Sequence, residues 1–349
     1  MTRRVAVLLT FTALPGCAED WSPRLAAQYL DSRQKEWFAW PRAKVLGGPC
    51  VSCHTGLTYL LVRPALRRAL REGQPTPYEK GLLDGLRARV AKRDAQELAK
   101  KPASPGLGVE AVFSALFLAL EDAGRAALSM EAEQAFDQLW SLQVRDGKAK
   151  GSWPWFNYDL DPWETPESAF YGAAIAALAA GSAPAEYRDR PETRERVNTL
   201  TEYLQREQQT QPLHNRLTLL WASSKLPGAL PEPLRRPLID EVLRKQQADG
   251  GWTAESLGPW TPHPQAPSST GSNAYATGFL AFVLQEAGVA RSHPRLVAAV
   301  DWLQSHQDRQ FGYWAAESMN KRYETDSMPV RFMQDAATAF ATLGLLGTR

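Results

Sequence analysis

Apolar and polar positions along the chain alternate between two kinds of stretch. Segments such as Val197 to Gln208 and Leu234 to Gln247 carry charge on one side and apolar residues on the other, the pattern of a surface helix. Segments such as Ala169 to Leu178, Ala274 to Ala281 and Ala336 to Leu343 are dense in small residues on nearly every face. Such a helix suits a position surrounded by neighbours, because small side chains let backbones approach. The first kind predicts outer helices and the second inner ones. Proline and glycine gather between them, as in Pro231-Glu232-Pro233 and Gly258-Pro259-Trp260-Thr261-Pro262, and mark the boundaries. Period-two alternation is scarce, so the expected class is all-α.

The charged stretches share a signature: Leu30-x-x-x-Gln34, Leu139-x-x-x-Gln143, Leu204-x-x-x-Gln208, Leu243-x-x-x-Gln247 and Leu303-x-x-x-Gln307. Four of the five run on into tryptophan: Trp37 and Trp40, Trp153 and Trp155, Trp252, and Trp314. The clearest copy, Leu243 to Trp252, resembles the QW motif of the squalene-hopene cyclase and prenyltransferase superfamily. That resemblance implies an α/α toroid, a double ring of about six outer-inner helix pairs with long rim loops. The pairs fall at roughly 22–72, 78–124, 130–181, 192–226, 231–288 and 293–346, the second lacking the signature. The repeated Trp and Gln read as structural, Trp packing the junctions and Gln bonding loop backbone.

One short stretch carries distinctive chemistry: Cys50-Val51-Ser52-Cys53-His54, within 47–56. Three readings of it need no cofactor shared with a known family: a small disulfide, half of a zinc site, or a thiol pair beside a surface histidine. Zinc is the weakest, since a closed site wants four Cys or His ligands and no second cluster is present. The spacing C-x-x-C-H resembles the attachment site of c-type cytochromes, which implies one covalent haem c tethered by Cys50 and Cys53 with His54 as proximal iron ligand. In a closed ring of six pairs the first and last are neighbours. The long loop from Tyr313 to Met333 then offers a distal ligand: Met328 first, Met333 next, Met319 after it. Met333 as a core residue and Met328 as a loop filler are the alternatives. His263, in the Pro-rich loop of pair five, could reach the same rim, but it reads, like His214, His293 and His306, as a cap or surface residue.

The N-terminus changes the picture of where this chemistry sits. Met1-Thr2-Arg3-Arg4, the apolar run Val5 to Leu14 and Leu14-Pro15-Gly16-Cys17 resemble a lipoprotein signal. The resemblance implies removal of 1–16, acylation of Cys17 and a single toroid domain over 17–349. The expected location is the periplasm or cell envelope, lipid-anchored or secreted, and membrane contact would come through that lipid. No later apolar run approaches a membrane span. With 40 basic against 38 acidic residues among 349, the chain lacks the basic excess of nucleic-acid-binding proteins.

Asp159-Leu160-Asp161-Pro162 is the nearest string to the Asp-x-Asp-Asp acid motif of the cyclases, with proline where the last aspartate should stand. Paired carboxylates can raise one another's pKa, but Asp161-Pro162 is also a turn signal. A zinc set like that of the prenyltransferases is not found. The expectation is therefore an extracytoplasmic c-type haem protein passing electrons to or from a redox partner protein or a small-molecule donor or acceptor. The alternative is a haem-free cyclase-like enzyme or a toroid holding an isoprenoid or other lipid in its centre, with Asp159 and Asp161 as the acids. A centre packed shut is the competing expectation.

Overall fold

The computed structural model describes residues 21–46, 48–100, 103–260, 263–267 and 270–347. The expected signal segment 1–16 and the acylation site Cys17 lie outside the described residues.

Fourteen helices account for most of the described chain, and twelve of them form six pairs. The outer members are α1 (Pro23–Ala39), α3 (Pro77–Ala91), α6 (Met130–Ser141), α9 (Pro191–Glu207), α11 (Glu232–Arg244) and α13 (Pro294–Ser305). Their inner partners are α2 (Gly56–Leu70), α5 (Pro105–Glu121), α7 (Ser168–Ser182), α10 (Leu213–Ser223), α12 (Ala274–Glu286) and α14 (Phe332–Leu346). Two short helices, α4 (Ala95–Ala99) and α8 (Ala185–Arg188), bridge between pairs. Extended structure among the described residues is confined to a two-residue ladder, Lys44–Val45 against Gly48–Pro49, and one isolated bridge. The all-α toroid expected from the repeat is the observed fold, and its pair boundaries agree to within a few residues. No described helix is long and apolar enough to cross a membrane.

Helix starts follow from local chemistry. Thr76 opens α3 with a capping box: its hydroxyl accepts from Glu79 N at 3.0 Å, and Glu79 Oε2 accepts from Thr76 N at 2.8 Å. Ser22 and Ser104 cap α1 and α5 with proline at the first helical turn, where the missing N–H costs nothing. The inner helices are buried almost all round. Where α12 crosses α14, a Cβ on Gly278 would stand 2.4 Å from Ala341 N, so only glycine permits that approach.

The Gln and Trp signature is a repeated staple. Near the end of each of three outer helices a glutamine Nε2 donates to two carbonyls, one in its own loop and one at the start of the next outer helix. Gln143 reaches Gly151 and Arg196, Gln246 reaches Gly250 and Arg295, and Gln307 reaches Gly312 and Ser22. The third closes the ring between pairs six and one. In the fifth pair this work falls to Gln246, since Gln247 is exposed and bonds Lys245 O instead. A Gly-x-Trp follows each time, and the indole donates back to the end of its own outer helix. Trp153 bonds Leu139 O at 2.8 Å, Trp252 bonds Val242 O at 2.9 Å and Trp314 bonds Leu303 O at 2.7 Å. All three indoles are fully buried, which confirms their structural role.

Aromatic side chains from different inner helices meet inside the ring. His214 Nε2 lies 2.8 Å from the Tyr275 hydroxyl, Tyr171 and Phe279 pack on the same imidazole, and Trp163 meets Tyr275 edge-on at 5.5 Å. These buried groups pack against one another across neighbouring inner helices.

Candidate functional site

The Cys-His loop is held from several sides. After α1, Cys50 N donates to Ala43 O at 2.8 Å and Trp37 Nε1 donates to Cys50 O at 2.9 Å. Ser52 Oγ accepts from Thr55 N and Gly56 N, which starts α2. Both thiols are free, Cys50 half-buried and Cys53 buried, and burial raises the pKa of each. Cys50 also senses Arg89 and Glu110, whereas Cys53 senses Glu164 and, next, Cys50.

His54 is oriented by a chain of hydrogen bonds. Asp335, fully buried at the start of α14, accepts from Tyr29 Oη at 2.8 Å, Arg33 Nε at 2.8 Å and Thr55 Oγ1 at 2.9 Å. The Thr55 proton is thereby committed, so His54 Nδ1, 2.9 Å from Thr55 Oγ1, is the protonated nitrogen. Burial first and Arg33 second lower the His54 pKa to about 3, so the ring is neutral. Phe332 stacks on the imidazole with centroids 3.5 Å apart and planes within 15°, and Trp37 meets it edge-on at 5.7 Å.

Two free thiols and a neutral imidazole with Nε2 unprotonated are the groups that the c-type haem expectation names. Of the expected distal ligands, Met328 has its sulfur 3.4 Å from Arg33 Nη2, Met333 is buried in the core, and Met319 lines a groove further along the rim. Among the described residues no group of three or more His, Cys, Asp or Glu side chains is placed to hold a metal ion.

A second constellation lies on the loop between α6 and α7. Tyr158 N and Leu160 N donate to Glu164 O, and Glu164 N donates back to Leu160 O, folding 158–164 on itself. Trp155 Nε1 ties the fold to Trp163 O at 3.1 Å. Asn320 clamps it to the loop of pair six, its Oδ1 accepting from Asp161 N at 2.7 Å and its Nδ2 donating to Asp161 O at 3.0 Å. The result is a rim cleft of about 620 Å³ in which Asp159, Asp161, Glu167, His263 and Gln211 come together. Burial, then Glu167, then Asp159 push the Asp161 carboxyl up to about 6. Glu164 beside the cleft is half-buried, and burial raises its pKa also.

Sequence reasoning found Asp159 and Asp161 but missed Glu167 and Glu164. Their signal was present, since both lie on the same short loop directly before an inner helix. The sequence lets His263 reach the rim, where it lines this cleft, although a cap or surface role is the reading it favours. The other histidines are structural. His214 is buried against Tyr275, His293 accepts from Arg295 N to start α13, and His306 stacks on Trp302 at 3.8 Å.

No protein-family model and no curated protein matches the chain. Among solved structures it is similar to an inactive variant of the α-1,6-mannanase GH76A of Salegentibacter sp. HEL1_6 in complex with α-1,6-mannotetrose. That likeness has a TM-score of 0.52 at 12% identity and covers 93% of this chain and 99% of that one. A second inactive variant of the same enzyme, in complex with α-1,6-mannotriose, gives 0.50 at 12% identity over 93% and 100%. The expectation of a haem protein for electron transfer is corrected by this likeness, which is to variants of an α-1,6-mannanase. The cyclase-like alternative is corrected with it on the same ground. What the chain shares with these mannanases at this identity is the α/α toroid fold.

Proposed function

We propose that the chain is a glycan-cleaving enzyme, a glycoside hydrolase working in the rim cleft formed by the 159–167 loop, Gln211 and His263. The observation that carries this reading is the convergence of Asp159, Asp161 and Glu167 in one cleft, with Asp161 pushed up to about 6. Hydrolysis of a glycosidic bond needs one carboxylic acid still protonated near neutral pH and a second carboxylate that is ionised. Asp161 fills the first role: it protonates the departing glycosidic oxygen as the bond to the anomeric carbon breaks. Glu167, exposed and on the same wall, serves as the second carboxylate, and water supplies the hydroxyl that ends on the anomeric carbon. The likeness of fold to α-1,6-mannanases supports the substrate class. The mannanase variants are inactivated at two adjacent aspartates, whereas this chain contains no Asp-Asp pair, so its acid pair is its own.

The test is hydrolysis of neutral glycans, α-1,6-mannan among them, followed by reducing-end assay. Asp161→Asn should lower kcat by about 10²–10⁴ with an unchanged melting temperature, the usual worth of a positioned acid. The wild-type rate should fall above about pH 6 as Asp161 ionises. Full activity in Asp161→Asn, or no cleavage of any glycan tried, defeats the reading.

A further inference from the structure

We propose that the groove adjoining the carboxylate cleft binds further units of an uncharged polysaccharide, so that the substrate lies across Trp260 with its scissile bond at Asp161. This inference rests on the glycan-cleaving reading above and names the substrate class for that site. The groove has a volume of about 1110 Å³ and runs between the loops that follow α11 and α13. Pro259 lines both the groove and the cleft, so they share a wall. The groove alone exceeds the roughly 300–1,000 Å³ of a pocket for one small ligand.

Its chemistry is that of sugar recognition. Trp260 is half-buried, and its Nε1 is committed to Ala254 O at 2.7 Å. The polar edge of the indole is thus satisfied within the protein, and an apolar face is left for the C–H side of a pyranose ring. Asp249 presents a fixed carboxylate: Ser272 Oγ donates to Oδ1 at 2.7 Å, and Trp302 Nε1 donates to Oδ2 at 3.2 Å. Glu255 and Asn273 add acceptors and a donor on the same walls. Ionised carboxylates only accept, so the ligand they suit is rich in hydroxyl donors.

The charge decides between classes of glycan. Among the described residues lining the groove and the cleft there are six carboxylates, Asp249, Glu255, Glu317, Asp159, Asp161 and Glu167, and neither Lys nor Arg. A uronic-acid or sulfated chain would meet like charge along its whole length with no cation to pair it. An uncharged chain would not.

The experiment uses the full-length Asp161→Asn protein, so that binding is read without turnover. Calorimetric titrations compare monosaccharides with neutral tetraoses derived from α-1,6-mannan, xylan and β-glucan, and with tetragalacturonate. The expected result is at least tenfold tighter binding of one neutral tetraose than of its monomer. Trp260→Ala should remove that gain, Glu255→Ala should weaken it, and tetragalacturonate should not bind. Glu255 is exposed, so its variant reports on binding even if Trp260→Ala perturbs folding. Absence of a length-dependent gain for every neutral tetraose, or preference for tetragalacturonate, overturns the proposal. Length-dependent binding through Trp260 without cleavage by the wild-type protein upholds the groove and defeats the acid role of Asp161. Cleavage with no dependence on chain length does the reverse.

Discussion

Replacing Asp335 by alanine should be among the most damaging single changes in the molecule. The side chains of Asp335 and Arg33 are 1% and 2% exposed, and the carboxylate accepts from Tyr29, Thr55 and both Nε and Nη2 of Arg33. Alanine removes all four acceptor contacts and leaves a guanidinium in the core, whose remaining anionic partner is Glu36, itself 48% exposed. Breaking a buried pair by deleting one partner costs about 3–5 kcal/mol, mostly for the uncompensated charge. With about 2.1 cal/mol/K of unfolding entropy per residue, each kcal/mol is worth about 1.4 °C in a chain of 349 residues, so the melting temperature should fall by about 4–7 °C. Urea unfolding followed by circular dichroism and tryptophan fluorescence together measures the loss and tests for a single transition. The double variant Arg33→Met with Asp335→Ala should recover part of the stability, because no charge is then stranded. A loss under about 1 kcal/mol in Asp335→Ala, or a double variant worse than the sum of the two single ones, would refute the assignment of the cost to a stranded Arg33.

Other expectations follow from single contacts. Gly312 has φ 80° and a Cβ there would stand 2.5 Å from Leu25 O, so Gly312→Ala should cost about 2–5 kcal/mol from backbone strain and overpacking. Gly228→Ala, with nothing within 4 Å, is its control and should melt like the wild type. Deleting the ring-closing staple with Gln307→Ala should cost about 1–3 kcal/mol by stranding the Ser22 and Gly312 carbonyls, read by urea titration. Burial lowers the His214 pKa to about 4 from an ordinary 6.5, so the folded state holds this ring neutral while the unfolded chain protonates it. Stability from this group is complete above pH 6.5 and is lost as pH falls towards 4, a swing of roughly 3 kcal/mol. In His214→Phe the slope of stability between those pH values should flatten, and an unchanged slope would assign the acid sensitivity elsewhere.

The sequence by itself determined the architecture. Charged stretches alternating with Ala-rich ones, and Leu-x-x-x-Gln running into Trp, were enough to place six helix pairs, because helical burial leaves a local period that any window of the chain displays. The register of the staple in pair five was not legible: Gln246 and Gln247 stand side by side, and only the packed loop shows which one faces Gly250. The site was less legible still. Cys50 to His54 stood out through its spacing, but spacing alone cannot show that Phe332, some 280 residues away, stacks on the imidazole. Asp161 was visible as a possible acid, but its pKa depends on burial by loops from pairs three, four, five and six and on Glu167, a carboxylate that no motif marked. Helices are encoded by neighbours in the chain, whereas a site is made by residues that only the closed ring brings together, so function had to wait for the tertiary structure.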